Sequence, residues 1–407
     1  MDLEPKRQVA AGRRVATALL SDPVGSCGSV AGQSTRSLSS SRITRGSRVA
    51  PRQRKQQALP RSAATRLLPP RCRQPCVVGA GVVGLTTATL LQEARPDVRV
   101  TLFADKFEEA TTSVGAAGIF TPSAMFRGPS QEVTWRWLAD GFAHYSKLLH
   151  SPEADEAGVR ELSGYTLSVN NPDAVRTPIE SLTEYRLLTP QEVRTFNGSW
   201  KYGSFMKTLL VENQRHLPYL LKKFRHRGGQ VMNRHVTSLE ELADEFDVVC
   251  NCSGLGARVL AGDRDVLPVR GQIFQVRAPW IKEFIFTDQD AYIIPGLEHV
   301  TLGGTRQFAN SKLVVDEFDS RAIWEKCNRL VPSLKDAKVV REWVGLRPYR
   351  HITRVEREVI TSKQGKAAHV VHNYGHGSYG VMGAPGTAMH AVRLAVEVLD
   401  AGAKARL

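Results

Sequence analysis

The sequence predicts a mixed α/β (α+β) fold: a Rossmann-type, doubly wound part interrupted by an inserted, mostly antiparallel β-sheet part. Three observations predict it. Residues 76–103 read as strand, glycine turn, helix and strand, a unit of about 30 residues. The middle of the chain, roughly 160–350, carries repeated short β-like runs. Residues 368–372 and a helical stretch over about 386–399 then return to the first pattern. These elements place a nucleotide-binding domain at about 75–160, 205–265 and 345–400, a substrate domain at about 161–204 and 266–344, and a short tail at 401–407.

Taken in order, Cys76-Val77-Val78 is a short apolar strand that runs into Gly79-Ala80-Gly81-Val82-Val83-Gly84. A helix is expected from about 81 to 94. Arg95-Pro96-Asp97 ends it, because a proline disfavours helical geometry in the residue before it. Residues 98–103 read as the second strand, and 246–252 as another buried one. The runs at 164–169, 271–276, 291–294 and 300–302 suggest the antiparallel sheet.

Composition narrows the class. Of 407 residues, 42% are hydrophobic, as in ordinary globular proteins. No uninterrupted apolar run reaches the roughly 18 residues of a membrane span. The net charge of +15 sits mainly at the N-terminus: residues 1–74 hold 15 Lys and Arg against three acids, leaving 40 against 37 in the rest. A nearly neutral remainder gives no footprint for nucleic acid. Residues 1–74, rich in Arg, Ser, Ala and Gln, are expected to be a disordered basic extension, and they also resemble an organellar targeting segment. The six cysteines, at 27, 72, 76, 250, 252 and 327, meet no metal or disulfide spacing rule. Cys250 and Cys252 read as small buried hydrophobes, and the set fits a reducing compartment.

The glycine turn points to a dinucleotide. Gly79 allows the tight turn, Gly81 lets the backbone approach a pyrophosphate at the positive helix N-terminus, and Gly84 permits close helix–strand packing. Asp105, 21 residues after Gly84, stands where an acid bonds the ribose hydroxyls of an adenosine. The pattern does not separate FAD from NAD. Gly375, Gly377, Gly380 and Gly383 are dense enough to suggest a loop whose N–H groups converge on a ligand.

Four segments together resemble the D-amino-acid oxidase and D-aspartate oxidase family over about residues 75–400, leaning to its D-aspartate branch: VVGAGVVGL from Val77 with Asp105-Lys106-Phe107, TTSVGAAGIFTP from Thr111, NCSGLGARVLAGDRDVLPVRGQIFQV from Asn251, and VVHNYGHGSYGVMGAPGTA from Val370. The resemblance implies FAD. It implies cofactor contacts at Ala80, Val82, Val83, Lys106, Thr112, Ser113, Ala117, Gly118, Val236 and Ser253, and along the flavin from Gly377 through Gly380 and Val381 to Met382. It also implies that Arg347 clamps the substrate α-carboxylate with Tyr292, that a main-chain carbonyl at Ser378 holds the amine, and that Arg306 meets an acidic side chain. Taken alone, Arg347 and Tyr292 are more often a surface arginine and a core tyrosine than functional groups.

The implied reaction is hydride transfer from the substrate Cα to the flavin, giving a 2-oxo acid, ammonia and, with oxygen, hydrogen peroxide. Alternatives are a neutral D-amino-acid or glycine oxidase on the same fold, and an FAD-binding protein without turnover. Two departures bear on them: Phe286 stands where the acidic branch has a second arginine, and Ala384-Pro385 where the family has a tryptophan. The short stretch between Phe286 and Tyr292 leaves no room for a long lid, which would speed product release. The final Ala405-Arg406-Leu407 resembles a peroxisomal address read by an import receptor, with a mitochondrial or cytoplasmic location as the alternative.

Overall fold

The computed structural model describes residues 74–404, with side chains through residue 401. The basic extension with its expected targeting role, Cys27 and Cys72, and the tripeptide Ala405-Arg406-Leu407 lie outside the described residues. The strands are β1 Pro75–Val78, β2 Thr101–Ala104, β3 Val159–Ser168, β4 Tyr185–Leu187, β5 Tyr202–Val211, β6 Gln230–Asn233, β7 Val248–Asn251, β8 Leu267–Arg277, β9 Phe284–Thr287, β10 Tyr292–Pro295, β11 Val300–Gly303, β12 Gln307–Phe308, β13 Lys338–Thr361 and β14 Ala367–His376. The helices are α1 Val82–Ala94, α2 Gln131–Leu149, α3 Pro190–Val193, α4 Asn213–His226, α5 Leu239–Ala243, α6 Ala257–Leu260, α7 Glu317–Leu330 and α8 Gly380–Lys404.

All these strands join one sheet, ordered β4-β5-β3-β9-β10-β11-β8-β13-β14-β7-β1-β2-β6, with β12 beside β8. The five strands from β14 to β6 are parallel. Alternation explains their two covered faces. Val77, Leu102, Val248 and Val371 point into one core with Leu85, Ala88 and Leu91 of α1. Cys76, Val78, Phe103, Val249 and Val370 point into the other with Leu239 and Leu242 of α5. From β4 to β13 the pairing is antiparallel except for β3 with β9. The 24-residue β13 pairs first with β8 and then with β14, so a single strand carries the chain between the two regions. Part of β5, assigned by the sequence to the nucleotide-binding domain, pairs along β3 in the antiparallel region.

Some local expectations are corrected. The second strand starts at Thr101, later than residue 98, because Arg95-Pro96-Asp97 is followed by a turn whose Val98 N–H bonds back to Arg95. The glycine-rich stretch is no open loop. Gly375, next to last in β14, sits in the left-handed region at φ 93°, Gly377–Tyr379 form a 3-10 turn, and α8 begins at Gly380 rather than near 386. The glycines permit close approach. A Cβ on Gly386 would lie 2.0 Å from the Trp137 carbonyl oxygen of α2, and one on Gly141 would lie 2.7 Å from that of Met382.

Pro385 therefore stands inside α8, beyond its first turn. It withholds the N–H that the Val381 carbonyl, four residues back, would accept. The Tyr145 hydroxyl of α2 donates to that carbonyl instead, at 2.8 Å. Tyr145 is fully buried, which keeps its phenol neutral and able to donate. Leaving that carbonyl unpaired would cost about 1–3 kcal/mol.

Candidate functional site

A cavity of about 2080 Å³ crosses the parallel region and reaches under the antiparallel one. It exceeds the roughly 300–1,000 Å³ of a drug-sized pocket, and so suits a large ligand with a smaller one beside it. Every residue expected at the cofactor lines it except Gly84. Gly84 lies behind the turn, where an added Cβ would stand 1.8 Å from the Gly79 carbonyl oxygen. Gly79 turns at φ 107°, and a Cβ there would meet the Cys252 carbonyl oxygen at 2.5 Å.

This end of the cavity fits FAD. Helix α1 has Gly81 as its N-cap, no capping side chain and no acid in its first turn. Its positive end thus faces the cavity without an internal anion, as a pyrophosphate requires. Ser113 Oγ accepts from the Val82 N–H at 3.0 Å and ties the 112–118 segment to the turn. Asp105 follows β2 and accepts from His235 Nδ1 at 2.8 Å, which holds its carboxyl below the usual range. Asp105 thus stays ionised, as an acceptor for ribose hydroxyls would need to be. The helical turn beginning at Gly377 brings its leading N–H groups, which lack partners within a helix, to the same wall.

The four expected substrate-side residues, Arg347, Tyr292, Arg306 and Ser378, line the same cavity. Glycines in the strands make room for two of them. A Cβ on Gly271 of β8 would lie 2.2 Å from Arg347 Nη1, and one on Gly303 of β11 would lie 2.0 Å from Tyr292 Cζ. Arg347 Nη1 donates to the Thr305 carbonyl at 2.9 Å. Burial raises the Tyr292 phenol above its ordinary value, while Arg347 and Arg306 both pull it back. The phenol is neutral at neutral pH and can donate. Arg306 is half-exposed, with Nη1 3.2 Å from Met125 Sδ. The Phe286 ring, 5.7 Å from that of Tyr292, forms an apolar wall beside it. Only residues 288–291 separate β9 from β10, so no long lid exists there.

Sequence reasoning missed the buried group that positions these side chains. Arg270 on β8 is 2% exposed. It donates to Asp319 Oδ2 at 2.6 Å, to Gln272 Oε1 at 2.5 Å, to Gln307 Oε1 at 3.1 Å, and to the Lys312 and Val314 carbonyls. The Gln272 N–H donates to Thr305 Oγ1 at 2.9 Å, so Thr305 joins this network to Arg347. The one legible signal was a charged residue inside the apolar run Leu267-Pro268-Val269-Arg270, a pattern that requires a partner the sequence does not identify.

Gly271→Ala is expected to displace the Arg347 guanidinium, since a flexible tip yields before a strand backbone does. The variant should fold with a near-normal thermal midpoint, bind FAD, and lose ~10-fold or more in kcat/KM, because a misplacement of about 1 Å costs on the order of 100-fold. Unchanged kcat/KM would show that Arg347 tolerates the added methyl.

Residues 75–394 match the family model described as FAD dependent oxidoreductase. The D-aspartate oxidase of Homo sapiens is 41% identical over 327 residues, covering 80% of this chain and 95% of that protein. D-aspartate oxidase 1 of Caenorhabditis elegans is 34% identical over 331 residues, covering 80% and 97%. Among solved structures, glycine oxidase from Geobacillus kaustophilus superposes with a TM-score of 0.65 at 18% identity, covering 81% of this chain and 95% of that one. This last likeness is one of fold.

Proposed function

The chain belongs to the FAD dependent oxidoreductase family, and from that premise we propose that it catalyses the FAD-dependent oxidative deamination of D-amino acids, with acidic ones such as D-aspartate and D-glutamate preferred. The observation that carries the preference is the joint placement of Arg347, Tyr292 and Arg306 on the cavity that also holds the glycine turn. Arg347 presents a planar fork suited to an α-carboxylate, and Tyr292 adds a neutral donor. Arg306 is a second cation available to a second carboxylate. The likeness to two D-aspartate oxidases supports the same reading.

When bound, FAD would supply the two-electron acceptor for the hydride leaving Cα, with oxygen as the final acceptor and hydrogen peroxide as its product. The protein's own part is to bind and orient. Arg347 and Tyr292 fix the carboxylate, the Ser378 carbonyl accepts a hydrogen bond from the neutral amine, and the Phe286 ring keeps water from the Tyr292 side. The imino acid hydrolyses to a 2-oxo acid and ammonia.

A second reading, a neutral D-amino-acid oxidase, draws on the apolar wall that Phe286 makes. A peroxide-coupled assay on FAD-loaded protein decides between them. D-aspartate should exceed D-alanine in kcat/KM, and Arg306→Phe should cut D-aspartate turnover by about ten-fold or more, as expected for a lost charge-assisted bond of about 1.5–3 kcal/mol. It should spare D-alanine by comparison. An equal loss on both substrates would mean that Arg306 does not read the side chain.

A further inference from the structure

We infer that Asp290 is a resident counter-ion of Arg306 and sets how strongly the site discriminates in favour of an acidic side chain. The inference rests on the acidic-substrate reading above and identifies a specificity residue within it. Asp290 stands on the turn between β9 and β10 and lines the same cavity as Arg306, Tyr292 and Phe286. Its Oδ1 lies 3.9 Å from Arg306 Nη2.

The turn fixes the backbone that carries this carboxylate, whose side chain is 64% exposed. The Gly304 N–H donates to the Asp290 carbonyl at 3.1 Å, and the Thr287 N–H donates to the Ala291 carbonyl at 2.9 Å. The Ala291 N–H donates to Thr287 Oγ1 at 3.1 Å, and Lys326 Nζ to the Gln289 carbonyl at 3.1 Å. Asp290 itself sits in the left-handed region at φ 58°, where Asp and Asn are the best tolerated side chains after glycine. The other acids nearby are engaged elsewhere. Asp288 accepts from Ser168 Oγ at 2.6 Å and from the Val169 N–H at 3.0 Å, and Asp173 pairs with Arg176 at 4.0 Å. Arg306 Nη1 also lies 3.2 Å from Met125 Sδ, and a thioether is a weak acceptor that carries no charge.

Two effects follow, and both act on selectivity. A substrate carboxylate that reaches Arg306 must share the guanidinium with Asp290 or displace it, since two carboxylates on one site repel. A neutral substrate, in contrast, leaves no unpaired cation behind, because Asp290 already balances Arg306. The penalty that an unpaired charge would place on an apolar side chain is thereby removed. Asp290 weakens acidic substrates and admits neutral ones.

The test is Asp290→Asn, alone and with Arg306→Ala, in FAD-loaded protein assayed on D-aspartate and D-alanine. Asn suits the left-handed turn and keeps its carbonyl bond to Gly304. In Asp290→Asn, the ratio of kcat/KM for D-aspartate to that for D-alanine should rise about two- to five-fold, the range of an exposed pair. The change should lie in KM, lower for D-aspartate and higher for D-alanine, rather than in kcat. With Arg306→Ala present, the same substitution should leave the ratio where Arg306→Ala puts it. An unchanged or lowered ratio in Asp290→Asn overturns the inference, as does an equal rise with and without Arg306. If Arg306→Ala alone leaves the wild-type ratio unmoved, the acidic-substrate reading itself fails and the inference falls with it.

Discussion

Arg347→Ala should abolish useful turnover of every D-amino acid while leaving the protein yellow with bound FAD. The guanidinium lies over Gly271 on β8 and is tied to the Thr305 carbonyl, away from the glycine turn expected to hold the dinucleotide. Its removal should therefore act on substrate alone. Truncating one partner of a buried, hydrogen-bonded charge pair costs about 2–5 kcal/mol, or about 30- to 5,000-fold in kcat/KM. Arg347→Lys should recover little, because a point charge cannot reproduce the fork that meets both carboxylate oxygens. The checks are the flavin absorbance of the purified variant and peroxide release on D-aspartate and D-alanine. A kcat/KM within about ten-fold of wild type would remove Arg347 from the carboxylate site.

The second large effect expected is on stability below neutral pH. His216 is 1% exposed, with Nδ1 3.0 Å from the Ala157 carbonyl. His376 is 3% exposed, with Nε2 2.9 Å from Thr387 Oγ1 and its ring stacked on Phe126. Burial pushes them down to about 4 and about 3, from an ordinary value of 6.5. In the unfolded chain both rings take a proton near pH 6.5; in the folded chain they stay neutral until the pH is far lower. Below about pH 6.5 the unfolded state therefore binds more protons, and stability falls as pH falls toward the folded values. Above that pH the two rings contribute no slope. The loss is about 1.4 kcal/mol per pH unit for each ring, or about 4 kcal/mol for both between pH 6.5 and 5. The thermal midpoint should drop on the order of 10 °C between pH 7 and pH 5. His216→Gln should flatten that slope only in part, because His144, also pushed down by burial to about 4, keeps its share with His376. A midpoint that holds steady down to pH 5 would mean that these rings take protons inside the fold.

The elements legible in the sequence were those in which spacing alone carries the physics. The β1–α1–β2 unit follows from an apolar strand, three glycines and a proline stop, all within local reach of one another. Cys250 is 0% exposed and Cys252 7%, as their alternation in an apolar strand suggested. The glycine-rich segment was misjudged because local composition argued against regular structure there. The helix persists because Gly386 and Gly141 each let a neighbouring backbone come close, and because Tyr145 satisfies the carbonyl that Pro385 leaves free. Both depend on contact with α2, more than 200 residues away in sequence.

By itself, the sequence determined the class of the fold and the dinucleotide turn with Asp105 behind it, gave the cofactor through four family-like segments, and named candidates for the substrate side. The tertiary structure decided how the substrate side is held. Arg270, Gln272 and Thr305 set Arg347 in place, Gly271 and Gly303 clear space for Arg347 and Tyr292, and Asp290 stands opposite Arg306. The physical reason is range. Helix and turn preferences are local and repeat at fixed spacing, so one stretch of sequence reports them. Burial of a charge, clearance for a guanidinium and the pairing of Asp290 with Arg306 depend on which strands lie side by side, and strand adjacency is set by long-range packing.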